Sequence, residues 1–120
     1  MEDNCGDVLL SIHQNHFSDI GYGGAQVFYG AAEDSAVLAG NIQNNLMTAL
    51  DRNNRRTIKD GSEISYLMKN AECTAVLVEC GFLSNPKDAE NLQKEDYQKL
   101  TAMALAAGVA EFKGENKNES

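Results

Sequence analysis

Val8-Leu9-Leu10-Ser11-Ile12 is a short, nearly continuous apolar run with β-branched members, and it predicts a buried strand. The run gives way to a polar cluster, His13-Gln14-Asn15, at the strand's C-terminal end. Glycine content marks residues 18–24 as a loop, and Ala25 to Tyr29 predicts a second strand. A helix is expected from about Ser35 to Asp51, with Asp34 or Ser35 as its N-cap. Its apolar stripe is Leu38, Ile42, Leu46 and Leu50, every fourth residue, widened by Val37 and Ala49. Residues 52–63 are polar and charged and read as an exposed or ligand-facing loop, and Ile64 to Asn70 as one or two helical turns. Ala75-Val76-Leu77-Val78 is apolar at every position, the pattern of a central strand covered on both faces, and it ends at Glu79 and Cys80. Asn85 as N-cap and Pro86 at the first helical position open a short helix to about Gln93. A longer helix is expected from about Asp96 to Phe112, with Leu100, Ala104 and Ala107 facing inward. Residues 113–120 lack apolar side chains and are expected to form a disordered polar tail.

Strands alternating with helices in a chain of 120 residues imply one α/β domain around one core. The expected architecture is a three-layer sandwich with a mostly parallel central sheet flanked by helices. In such sheets ligands bind beyond the carboxyl ends of the strands. The polar residues at His13 and at Glu79 both fall there.

Charge narrows the partners. A net charge of -8 and a pI near 4.6 give a surface that repels polyanions, so nucleic acid is not an expected ligand. The basic residues are scattered, apart from Arg52, Arg55 and Arg56. Cys5, Cys73 and Cys80 are odd in number and lack C-x-x-C spacing, which speaks against both a disulfide framework and a thiolate zinc site. No apolar run approaches the length of a membrane span, and Met1 leads straight into Glu2-Asp3-Asn4, so no signal peptide is read in this chain.

Glu79 follows four buried apolar positions, where a carboxylate is costly unless it is paired, hydrogen-bonded or functional. An ion pair with Arg56 or Lys59 would satisfy it as well as a catalytic role. His13 reads either as a metal ligand or as a histidine that happens to end a strand. Asn15 suits a site or a turn cap equally, and His16 reads as a loop residue. Cys80 reads as a small packing residue, because no histidine is placed in sequence to activate it.

Several segments together resemble one family. Ser11-Ile12-His13-Gln14-Asn15 is similar to the S-I-H-x-N motif of the zinc-dependent N-acetylmuramoyl-L-alanine amidases, the type-3 catalytic domain of sporulation and autolytic cell-wall enzymes. Gly24-Ala25-Gln26-Val27-Phe28-Tyr29 resembles the strand that follows, and Asn54-Arg55-Arg56-Thr57-Ile58-Lys59 the basic loop. Ala75 through Pro86 resembles the last signature over twelve consecutive positions. The G-A-Q-V-F-Y wording leans toward the branch acting on spore-cortex peptidoglycan.

The resemblance implies a hydrolase of peptidoglycan, at the cell envelope or outside the cell, using one zinc ion held by two histidines and a glutamate. His13 corresponds to the second histidine and Glu79 to a separate catalytic glutamate. Zinc with three protein ligands keeps a position for water and lowers its pKa, and a nearby carboxylate can take that water's proton and pass it to the leaving amine. Asn15, Arg56 and Lys59 would contact the acidic peptide stem, although the two cations fit a solvated loop equally. The family's G-H-G-G motif and its glutamate ligand are not found here. Residues 1–112 are therefore expected to be the C-terminal part of the catalytic domain, with the first strands of the fold missing and one of three zinc ligands present. Catalysis by this chain alone is not expected, and an open sheet edge would favour association. The alternative is a non-catalytic module that binds peptidoglycan or regulates an amidase.

Overall fold

The computed structural model describes residues 8–15, 23–54, 56–82 and 85–119, apart from the side chains of Gln14, Asn15, Phe82 and residues 115–119. Cys5, His16 and most of the expected 18–24 loop lie outside the described residues. In chain order the elements are β1 (Val8–Asn15), β2 (Gln26–Tyr29), α1 (Ser35–Leu50), β3 (Lys59–Asp60), α2 (Tyr66–Asn70), β4 (Thr74–Phe82), α3 (Pro86–Leu92) and α4 (Glu95–Glu119).

The four strands form one sheet in the order β1-β4-β2-β3. β4 runs parallel to β1, from Val8 opposite Thr74 to His13 opposite Glu79. It runs antiparallel to β2, with Val27 opposite Val78, and β3 extends the far side of β2 in parallel. Alternation along β4 sends Val76 and Val78 to one face and Ala75 and Leu77 to the other. On the first face they join Val27 under Leu38, Ala39, Ile42 and Leu46 of α1, and under Ala104, Leu105 and Phe112 of α4. Each fully buried branched side chain there contributes about 1.5–3 kcal/mol. On the second face Ala75 and Leu77 meet Met68 of α2, with Leu9 and Phe28 packed beside them. That layer is thin, and Ile64, Tyr66 and Leu67 around α2 remain exposed.

Local chemistry fixes the helix starts. The Asn85 side chain accepts the Asp88 N–H at 3.0 Å, with Pro86 next in sequence, as its residue types predict. At α1 the N-cap Asp34 makes no side-chain cap bond. The fully buried Ser35 instead turns its hydroxyl to the sheet and accepts the Ala75 N–H at 2.9 Å.

The stripe on α1 is wider than Leu38, Ile42, Leu46 and Leu50, but not on the expected side. Val37 and Ala49 are exposed, while Ser35, Ala39 and Gln43 are buried. The helix rests on β2 and α4 together, and the flank facing those neighbours is the one that carries 35, 39 and 43. On α4, Leu100 points to solvent, and Thr101, Ala104, Leu105 and Phe112 form the inward face. The α4 assignment runs on to Glu119, past Phe112, over residues that the composition reads as a tail. β1 and β4 both continue through their polar ends, because ladder hydrogen bonds follow the backbone and not side-chain polarity.

Candidate functional site

A row of polar side chains crosses the sheet where β1 and β4 approach their carboxyl ends. His13 is opposite Glu79, and Glu79 is in turn opposite Gln26 at the start of β2. All three belong to the face that carries Leu77 and Phe28, and adjacent strands bring each within about 5 Å of the next at the backbone. Beyond this row the register shifts, with Asn15 opposite Phe82, so β4 takes three steps where β1 takes two. Such irregularities re-aim side chains at a strand end.

The three residues differ sharply in environment. His13 is exposed, and its Nε2 lies 2.8 Å from the Ser11 hydroxyl, two residues back on the same face. Glu79 is only 6% exposed. Gln26 is buried completely, donating from Nε2 to the Thr57 carbonyl and accepting from Arg56 Nη1 at 3.3 Å through Oε1. Arg56 also donates through Nε to the Gly23 carbonyl at 2.8 Å. Asn54 braces the same turn by donating to the Ala25 carbonyl at 3.0 Å. Gly24 sits there at φ 91°, a left-handed conformation that a side chain would strain, and its N–H donates to Asp88 at 2.9 Å.

Of the residues singled out from sequence, His13, Glu79 and Arg56 are thus brought to one end of one sheet. Lys59 is not among them. It is exposed, opposite Phe28, two residues on along β2 from Gln26 and on the far side of that strand from Glu79. The Asn15 side chain lies outside the described residues. Cys80 is buried, and burial first, with the Glu79 charge second, pushes its thiol up to about 11. It stays protonated at neutral pH and acts as packing.

Two glutamines escaped the sequence reading. Gln43 of α1 is buried and faces the edge of β2, accepting the Val27 N–H at 2.8 Å and donating to the Ala25 carbonyl at 3.1 Å. It supplies what a neighbouring strand would have given there. Gln26 anchors Arg56. For Gln26 the available signal was an amide inside an apolar segment, since a buried amide needs partners for both its ends, whereas Gln43 is flanked by Asn41, Asn44 and Asn45.

The described residues do not fit a zinc ion as the resemblance implies it. Among them no three His, Cys, Asp or Glu side chains converge to hold a metal, and His13 alone could supply one ligand where a catalytic site uses three. What the row offers by itself is a buried carboxylate able to move a proton beside an exposed imidazole, at the open end of a sheet.

Residues 1–111 match the protein family described as N-acetylmuramoyl-L-alanine amidase. Over 107 residues the chain is 33% identical to the germination-specific N-acetylmuramoyl-L-alanine amidase of Bacillus subtilis, covering 88% of this chain and 44% of that protein. It is 33% identical over 124 residues to an uncharacterized cell wall amidase of Bacillus anthracis, covering 94% of this chain and 23% of that one. The fold is similar to the CwlD amidase from Clostridioides difficile, whose structure is known in complex with the GerS lipoprotein. The TM-score is 0.80 at 36% identity, over 92% of this chain and 58% of that one. The chain thus spans less than half the length of either curated relative and somewhat over half of the solved chain. On its sequence and its fold alike, this chain belongs to the N-acetylmuramoyl-L-alanine amidase family.

Proposed function

We propose that this chain carries the acid/base carboxylate and one metal-binding histidine of a peptidoglycan amidase. The bond cut is the amide between the lactyl group of N-acetylmuramic acid and the first L-alanine of the stem, in cell-wall or spore-cortex metabolism at the cell envelope. The observation that carries this reading is the direct opposition of His13 and Glu79 on parallel strands. Glu79 takes a proton from the attacking water and delivers it to the leaving amine, and its burial between two strands limits the rotamers it can adopt. His13 is the zinc ligand of the family pattern. Arg56, held by Gln26 and Gly23, lies where it can meet a carboxylate of the stem. Asn15 is assigned a weaker contact with the same stem.

Residues 1–112 act as the C-terminal part of a catalytic domain, followed by the polar segment 113–120. One histidine does not make a zinc site, so hydrolysis is not expected of these 120 residues acting alone. β1 is the outer strand of the described sheet, with Ile12 54% exposed, and pairing along it with a further segment or chain would continue the ladder.

A chimera tests the assignment: this chain replaces the matched 107 residues of the Bacillus subtilis relative, and release of stem peptide from purified peptidoglycan is measured. The chimera should release stems. Glu79→Gln should lower kcat by about 100-fold or more with KM little changed. A Glu79→Gln chimera as active as its parent would remove the role. The donor set, short of three ligands among the described residues, also favours a second reading, a non-catalytic peptidoglycan-binding or regulatory module. Binding to peptidoglycan that a chelator does not disturb, with no stem release by the chimera, would support that one.

A further inference from the structure

A cleft opens between the Gly23–Gly24 turn, the loop residues Asp51, Asn53, Asn54 and Arg56, and the first turn of α3. Its volume is about 420 Å³, within the range of roughly 300–1,000 Å³ usual for small-ligand sites. Its walls are tied in place. Gly24 N–H donates to Asp88 Oδ2, Arg56 Nε to the Gly23 carbonyl, and Asn53 N–H to Asp51 Oδ1, at 2.9, 2.8 and 2.9 Å. Arg56 links the cleft to the row, because it lines the one and also donates to Gln26, the residue opposite Glu79.

The charges lining this cleft are of both signs: Asp51 and Asp88 against Arg56 and Lys87. Asp88 and Arg56 already hold the walls. Asp51 accepts one hydrogen bond from the Asn53 N–H and keeps acceptor capacity for a cation, since a carboxylate offers about four acceptor sites. Lys87 is exposed at the rim. A ligand bearing only one sign of charge would meet a repelling partner here, whereas a zwitterion matches both.

We propose that this cleft is a subsite for a stem residue whose side arm ends in both an ammonium and a carboxylate, with Lys87 holding the carboxylate and Asp51 the ammonium. The identity of the ligand as a stem residue rests on the amidase reading. A meso-diaminopimelate residue has such a side arm. A lysine residue has the ammonium without the carboxylate, so the cleft separates the two stem chemistries.

The test is an NMR titration of the whole 15N-labelled chain with synthetic L-alanyl-γ-D-glutamyl-meso-diaminopimelate, and with the same peptide carrying lysine. Shifts are expected at the amides of Gly23, Gly24 and Asn54, with the diaminopimelate peptide bound about tenfold tighter or more. Lys87→Gln should erase that preference, and Asp51→Asn should weaken both peptides several-fold. Lys87 is exposed, so its variant keeps the fold, which the Val76 and Val78 amide signals verify. Equal binding of the two peptides by the unaltered chain, or a preference that survives Lys87→Gln, overturns the proposal. The titration needs no hydrolysis, so a failed subsite and a failed amidase assignment are read from different experiments.

Discussion

His13 and Glu79 stand directly opposite each other on two parallel strands, and parallel pairing is what puts both at the same end of the sheet. The register between β1 and β4 is held by the apolar residues preceding them, Leu10 against Val76 and Ile12 against Val78. A slip of one residue would turn His13 to the other face. The pairing of a buried carboxylate with an imidazole therefore depends on the hydrophobic residues that precede them.

The metal follows from the donor count. After dialysis against zinc-containing buffer and then metal-free buffer, the 120-residue chain should retain far less than one zinc per chain by elemental analysis. A stoichiometry near one, lost in His13→Ala, would show that residues outside the described set complete a site.

Gln43 predicts a stability effect out of proportion to its chemistry. Gln43→Leu keeps the volume and leaves the Val27 N–H without its acceptor and the Ala25 carbonyl with one donor fewer. An unmet buried group costs about 1–3 kcal/mol, so the urea midpoint should fall by the equivalent of about that amount. A midpoint unchanged, or raised, would show that α1 braces β2 by apolar packing alone.

Gly108 lies inside α4, where alanine would ordinarily gain about 1 kcal/mol of helix propensity. A Cβ there would meet Ile42 Cγ1 at 2.6 Å and the Ile42 backbone at 3.0 Å. The backbone cannot swing aside, so overpacking outweighs the propensity gain and Gly108→Ala should destabilise by about 1–3 kcal/mol. Thermal unfolding decides it: a higher Tm in the variant would mean that α1 and α4 do not approach so closely.

Alkaline pH should act through Cys80. The unfolded thiol loses its proton near pH 9 and the folded one near 11. Between these the unfolded chain sheds a proton that the folded chain keeps, so stability is intact below pH 9 and falls as pH rises toward 11. The loss is about 1–3 kcal/mol. Tyr97, also pushed up to about 12 mainly by burial, adds a background at higher pH. Denaturant unfolding at pH 8 and 10.5 should therefore show a smaller drop for Cys80→Ala than for the parent. Equal drops would assign the effect elsewhere.

Much of this architecture is written in the chain's periodicity. The continuous run Ala75–Val78 carries the mark of a central strand, and the spacing of Leu38, Ile42 and Leu46 that of a helix with one buried face. Asn85 and Pro86 mark their helix start by local chemistry alone. Periodicity also carries His13 and Glu79 to strand ends, and the surrounding motif words mark them as candidates.

What the sequence leaves open is everything that depends on which neighbour arrives. Whether Val37 or Ala39 is buried is settled by where α4 and β2 lie against α1, and those contacts join residues far apart in the chain. β3 is two polar residues long and exists only because β2 offers it a ladder. Gln26 and Gln43 look like ordinary polar residues until the backbone and side-chain groups they satisfy are known. Lys59 and Arg56 are three residues apart in one basic loop, yet only Arg56 reaches the site. The chain enters β3 after Arg56, and its pairing with β2 carries Lys59 away from the end where Glu79 lies. Local pattern determines which elements form, because helix and strand periodicities are short-range. Register, strand order and the partners of buried polar groups are long-range, and only the tertiary structure decides them.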